Sequence, residues 1–274
     1  MRYSQIQRRN RALHTANLSR MKRFITFFAA LILASTAFAE SAAPTVSLTP
    51  HRAEYKVKVS VLSGKLETEV HKTELGYEAK SMLRAAGMAR MFVRGDVREE
   101  SSFEVFEGGV RPLTYNSSDK ISKEDKFMDF RFDWEAAEVT GTVNDQEIAF
   151  PLDGQVHDRV SVQYELMLDL LNNRESAEYA LLDDDELKVL AISKLGEKEV
   201  KVPYGKFEAI GIQHRKKKIG SKKVSSRVTT LWLVEELDYL PVLIEQHRDG
   251  KLAMRAVLTN YTPFEEPQQV VQSD

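Results

Sequence analysis

The chain has 274 residues, with 39 Lys and Arg against 41 Asp and Glu and 42% hydrophobic residues, an ordinary balance for a folded globular protein. It has no cysteine, which excludes disulfides, thiol nucleophiles and Cys-ligated zinc or iron–sulfur chemistry. Its formal charge of −2 averages two unlike segments.

Residues 1–39 carry seven basic residues (Arg2, Arg8, Arg9, Arg11, Arg20, Lys22 and Arg23) and no acidic one. The small and apolar run from Phe24 to Ala34 follows, then Ala37-Phe38-Ala39, the small-x-small pattern that signal peptidase reads. This layout predicts a signal peptide over 1–39, cleaved after Ala39, because the run is shorter than the roughly 20 residues of a membrane span. Residues 1–20 are either an extended basic region or an over-long start, since Met21-Lys22-Arg23 makes a compact beginning of its own. Without the leader, 32 basic and 41 acidic residues remain, a net charge of −9. No cysteine is present to accept a lipid, so the expectation is a periplasmic protein with no transmembrane segment in its mature form.

Residues 40–50 read as a flexible, proline-containing lead-in, 51–262 as a single β-rich domain and 263–274 as a disordered tail. From Ala53, period-two alternation places Tyr55, Val57, Val59 and Val61 on a core, with Lys56, Lys58 and Ser60 in water. Ser63-Gly64 reads as a turn and Gly76 as a breaker between two weaker strands. Residues 82–92 fit a strand edge, a short helix or a flap. Two strands flank Gly108-Gly109, and Met128, Phe130, Phe132 and Trp134 alternate with charged or polar residues. Asn144-Asp145 closes a hairpin. Val160, Tyr164, Met167, Leu168 and Leu171 instead recur at helical spacing, with Asp158 placed to cap the first turn. Six further strands, between Leu187 and Tyr261, are separated by turns at Leu195-Gly196, Tyr204-Gly205, Ile219-Gly220-Ser221, Tyr239-Leu240-Pro241 and Asp249-Gly250.

About a dozen short strands around one helix predict a mainly β fold: a single curled antiparallel sheet forming a closed or half-open barrel. The amphipathic helix, about 158–171, would lie across or beside the opening, as a plug or a lid over an apolar cavity.

The segments Ser102-Phe103 with Gly108-Gly109-Val110-Arg111-Pro112-Leu113-Thr114-Tyr115, Asp158-Arg159-Val160-Ser161, Pro203-Tyr204-Gly205-Lys206-Phe207, and Leu231-Trp232-Leu233 followed by Tyr239-Leu240-Pro241-Val242 carry a resemblance. In their order and spacing, from about Ala53 to Tyr261, the chain resembles the exported bacterial family known as domain of unknown function 3108. The resemblance implies a periplasmic β-rich domain and supplies no activity or catalytic residue. The Pro-x-Gly-x-Phe turn and the late hairpin are also similar to features of half-barrel lipoprotein carriers of the envelope, which hold acyl chains under a helical lid.

Catalytic and metal signals are weak. The six histidines, at 14, 51, 71, 157, 214 and 247, lack the i, i+3 or i, i+4 spacing of a helical metal pair. His157, Asp158 and Ser161 hold the residue types of a triad, but adjacent helical positions point about 100° apart and no nucleophile elbow surrounds the serine. Asp158 therefore reads as a cap. Glu99-Glu100 and Asp183–Glu186 read as solvated carboxylates, because neighbouring strand residues face opposite sides and the run lacks calcium-loop spacing. No catalytic residue, metal site or cofactor is expected. The distinctive feature is a basic hairpin, Arg215, Lys216, Lys217, Lys218, Lys222 and Lys223, which offers docking to anionic headgroups or an acidic partner. A solvated tip that discourages strand pairing is the plainer alternative. Nucleic acid does not fit, because no aromatics interleave the lysines.

These features favour a non-enzymatic periplasmic protein that binds or carries an apolar or amphipathic envelope molecule. An envelope assembly factor that binds a protein partner is the second reading, and a hydrolase of envelope polymer the third.

Overall fold

The alternating rows become fifteen strands in the computed structural model, which describes residues 47–264 apart from 107–108 and 221–223. Residues 1–46, which include the expected signal peptide, the tail from residue 265, and Lys222 and Lys223 lie outside the described residues. The first wing of the sheet is β1 (His51–Val59), β2 (Leu62–Thr73), β3 (Gly76–Ala85), β4 (Asp96–Phe106), β5 (Gly109–Asp119), β6 (Lys126–Asp133), β7 (Glu138–Val143) and β8 (Gln146–Pro151). The chain then enters β9 (Val156–His157) and the helix α1 (Ser161–Leu171). It returns through β10 (Glu178–Asp183), β11 (Glu186–Val202), β12 (Gly205–Lys218), β13 (Arg227–Val234), β14 (Leu240–Arg248) and β15 (Lys251–Pro263).

All fifteen strands belong to one sheet that does not close, and its order is β8 to β1, then β15 back to β9. The first and last strands therefore pair at its centre, antiparallel, from His51↔Pro263 to Val59↔Met254. Every neighbouring pair is antiparallel except β9 with β10. The outermost strands, β8 and β9, are consecutive in sequence and joined by only four residues, 152–155. Such a link spans about 18 Å at most, whereas a flat sheet of fifteen strands would separate its edges by about 67 Å. The sheet must curl. Gln155 Nε2 donates to the Val110 carbonyl at 3.0 Å, which sets the crossing against β5.

Inside the curl, Tyr55, Phe103, Tyr115 and Phe130 are buried to 2% exposure or less, as are Met167 and Leu168 of α1. Phe103 stacks on Tyr164 of α1 at 5.1 Å between ring centroids. The helix was expected to bury one apolar stripe. Nine of its eleven residues are buried instead, including Glu165 and Asp169, because sheet surrounds it on more than one side. It is a plug.

The carboxylates on and beside that plug are all bonded, whereas the buried Gln163 Nε2 has no hydrogen-bond partner among the described residues. Asp158, with no exposed surface, accepts from the Val160 and Ser161 amides at 2.7 and 2.8 Å and from the Ser101 hydroxyl at 2.7 Å. Its own amide donates to Ser161 Oγ at 3.0 Å, so the cap is reciprocal and also tethered to β4. Glu165 Oε2 accepts from the Val110 amide and from Gln155 Nε2. A side chain at Gly109, whose φ is +129°, would collide with the Glu165 carboxylate. At the other end, Asp169 accepts from Ser176 Oγ at 2.6 Å and Tyr179 Oη at 2.8 Å, joining α1 to β10.

Three expectations shift. The first turn is Ser60-Val61, with Ser60 at φ +53°, because Val59 pairs with Leu62 and Ser63-Gly64 lies within β2. Leu195-Gly196 does not reverse the chain; Gly196, at φ +86°, forms a bulge within the 17-residue β11. In the lead-in, Leu48 is buried at 1% exposure.

Two predictions follow from the plug. Asp158→Ala, which leaves two amides and a hydroxyl without their acceptor, lowers unfolding free energy by about 3–5 kcal/mol in urea titrations, and Asp158→Asn costs less. Burial pushes the Glu165 carboxyl up to about 7, against the Val110 amide that lowers it, from an ordinary 4.5. Its contribution is fully present below pH 4.5 and lost as pH rises through about 7. Glu165→Gln mimics the protonated form, so the variant's stability relative to wild type rises across that window by about 3 kcal/mol.

Candidate functional site

Opposite the face of α1 that is tied to β4 and β5, the curl leaves a cavity of about 460 Å³. Val162, Leu166, Leu181, Leu190, Ile192 and Leu231 supply its apolar lining. A row across four strands, Ile192, His214, Thr229 and Gln246, crosses the same inner face, each residue paired with the next. The volume falls in the roughly 300–1,000 Å³ range of small-molecule sites. It has room for one small amphiphile rather than several long acyl chains.

The polar side of the cavity is a charge network. Asp183 is 6% exposed and its Oδ2 lies 2.9 Å from both Lys188 Nζ and Lys216 Nζ. Burial favours its neutral form, but the two ammonium groups outweigh that and hold the carboxyl down to about 2. Burial in turn lowers the Lys216 ammonium, and the facing Asp183 opposes that shift. Arg159 donates to Tyr115 Oη at 3.0 Å and Ser117 Oγ at 3.1 Å and pairs with Glu99 at 2.8 Å. Burial disfavours charge on Arg159, yet Glu99, Tyr115 and Asp183 raise its pKa above the ordinary value. His214 is pushed down to about 4, first by burial and then by Lys216, so it is neutral at pH 7. Arg227 also lines the cavity; it is exposed and forms no ion pair among the described residues. The lining thus holds Arg159, Lys188, Lys216 and Arg227 against Asp183 and Asp184, an excess of two positive charges.

The basic run splits by strand alternation. Lys216 faces the cavity beside His214, whereas Arg215 and Lys217 are exposed on the other face. Lys218 pairs with Glu186 at 2.6 Å. Lys222 and Lys223 fall outside the described residues. The acidic run, expected as a solvated loop, is where Asp183 and Glu186 meet those lysines. Sequence reasoning did not select Arg159, Lys188, His214 or Arg227; period-two spacing puts His214 and Lys216 on one face and was the available signal. His157, 1% exposed and edge-on to Tyr179, lies in the core with Asp158 and Ser161, whose bonds are those of a helix cap. Among the described residues, no group of three or more His, Asp or Glu is placed to hold a metal ion, and no helix is long and apolar enough to cross a membrane.

The family model described as "Protein of unknown function (DUF3108)" matches residues 51–255. The chain belongs to the DUF3108 family. No curated protein matches it. Among solved structures, this DUF3108 chain is similar to a beta-barrel-like protein of domain of unknown function 1849 from Brucella abortus, at 12% identity and TM-score 0.55, covering 81% of this chain and all of that one. That likeness shows a β-barrel-like fold. Looser overlaps, both at TM-score 0.32, occur with a provisionally named lipoprotein of Parabacteroides distasonis (12% identity, 80% and 97% coverage) and a provisionally named exported protein with a YmcC-like fold from Bacteroides fragilis (11%, 79% and 97%).

The Asp183 network carries its own prediction. Its depressed pKa means a contribution present above pH 3.8 and lost as pH falls through about 2. Asp183→Asn therefore costs about 3 kcal/mol at pH 7, a difference that shrinks toward zero near pH 2 in acid-titrated denaturation curves.

Proposed function

We propose that this protein binds a small anionic amphiphile of the cell envelope in the cavity between α1 and strands β10–β14, without transforming it. The observation that carries the reading is the pairing of an apolar lining with a cationic excess in one half-open cavity. A tail lies along Val162, Leu166, Ile192 and Leu231. The head meets Arg227, whose charge no described carboxylate neutralises, while Ser225, Thr229 and Gln246 offer hydrogen bonds. Export by the predicted leader would place the protein among such molecules. In this reading α1 is a wall of the binding space, and among the described residues of the basic run only Lys216 reaches the ligand.

The test uses lauroyl lysophosphatidylglycerol and the fluorescent anion anilinonaphthalene sulfonate as probes, followed by titration and native mass spectrometry. Wild type binds both. Arg227→Glu weakens the anionic probes about ten-fold, consistent with loss and reversal of one charge at the mouth of the cavity, and Ile192→Trp blocks them by filling the space. A neutral lauroyl amphiphile binds more weakly than the anionic one. Failure of the probes to bind wild type, or affinity unchanged in both variants, overturns the proposal.

A further inference from the structure

The alternating row of β1 runs past the core. Tyr55 and Val57 are buried, but Val59 is 45% and Val61 93% exposed. The neighbouring connection, the 3-10 turn Gly87–Met91 with Phe92, presents Met88, Met91 and Phe92 at 78%, 73% and 76% exposure. Of the thirteen exposed large hydrophobic side chains among the described residues, six (Val59, Val61, Leu62, Met88, Met91 and Phe92) gather at this one end. Val61, Leu62, Met88 and Phe92 line a common concavity. Scattered apolar residues are normal on a surface, but such a concentration marks a contact site.

The display is built into the backbone. The Ala86 amide donates to the Ser63 carbonyl at 2.8 Å, tying the turn to β2. Ala89 is buried at 5% exposure, and the Phe92 and Val93 amides both donate to its carbonyl. Ala89 therefore anchors the turn while the methionines and Phe92 point away from the core.

The two segments that build this tip carry charge of one sign, although Glu54, Glu67 and Asp96 flank them. Residues 56–66 and 84–95 contain Lys56, Lys58, Lys65, Arg84, Arg90 and Arg94 and no Asp or Glu, on a chain whose net charge is −2. Lys65 and Arg84 are paired with Glu67. Lys56, Lys58, Arg90 and Arg94 are exposed and form no ion pair among the described residues. A protein partner meets such a patch with a rim of mixed polarity. A bilayer of anionic phospholipids offers apolar depth under a plane of negative charge, which suits long apolar side chains ringed by cations.

We infer that this end of the sheet docks on an anionic phospholipid bilayer, with Val61, Met88, Met91 and Phe92 entering the interface and Lys58, Arg90 and Arg94 on the headgroups. The inference is independent of the α1 cavity.

The full chain is floated with vesicles of phosphatidylglycerol and phosphatidylethanolamine, and with vesicles of phosphatidylcholine alone. Wild type floats with the first and not the second, and less so as salt is raised. Met88→Ser/Met91→Ser/Phe92→Ser and, separately, Lys58→Glu/Arg94→Glu reduce flotation about ten-fold with unchanged melting temperatures, since all five side chains lie outside the core. Phe92→Trp reports insertion by a blue shift of the added fluorescence on anionic vesicles alone. The inference is overturned if wild type floats with neither vesicle or equally with both. It is also overturned if both multiple variants float like wild type, or if sedimentation velocity shows the patch consumed in a dimer that the serine variant dissolves.

Discussion

The four-residue passage from β8 to β9 constrains the molecule more than any other connection. It joins the two edges of a fifteen-stranded sheet, and no backbone that short reaches across the sheet laid flat. Curling creates an interior, and an interior lined by Tyr55, Phe103, Tyr115 and Phe130 has to be filled. The chain supplies the filler immediately after the crossing, as α1. Sequence proximity of crossing and plug means that the step that curls the sheet also delivers the helix into it.

Packing alone does not fix where a helix sits in such a space, because apolar surfaces slide. The polar bonds of α1 do fix it. Asp158 reaches Ser101, Arg159 reaches Tyr115 and Glu99, and Glu165 reaches the Val110 amide, all on β4 and β5. Buried carboxylates are costly to desolvate, and their net stabilisation is small even when fully bonded. Their directionality gives the helix one depth and one rotation. Glu165 shows the cost, since burial leaves its carboxyl with a pKa of about 7 rather than an ordinary value.

The strands were legible in the sequence wherever one face met the core and the other met water, as in β6, whose Met128, Phe130 and Phe132 alternate with exposed residues. Asn144-Asp145 and Asp249-Gly250 were legible as turns because both residues of each take positive φ, which these residue types tolerate. Gly196 misled because the same tolerance serves a bulge as well as a turn. The one-sided helix misled for a different reason: a periodicity argument assumes water on the far side, and here the far side is also protein. Half of the candidate site was hidden similarly. The basic run was visible as charge, but its division between two faces, and its meeting with Asp183 and Glu186, depends on strand pairing across β11 and β12. The cavity itself has no local signature, since α1 and the five strands β10–β14 line it.

The cavity's position follows from the asymmetry of the pins. Those at the N-terminal half of α1 draw it toward β4 and β5; on the opposite side, the bonds of Asp169 to Ser176 and Tyr179 hold only its C-terminal end. A helix has a fixed girth, so drawing it to one wall leaves space along the other, next to Val162 and Leu166. Empty apolar volume in a core is destabilising, and larger side chains at Val162 or Ile192 would remove it without disturbing a pin. The sequence instead keeps small and medium side chains there and ranges four cations against two carboxylates beside them. Asp183 and Glu99 account for Lys188, Lys216 and Arg159 as structural pairs; Arg227, with no described carboxylate beside it, is the cation that the proposed anionic amphiphile would answer, together with the unfilled volume.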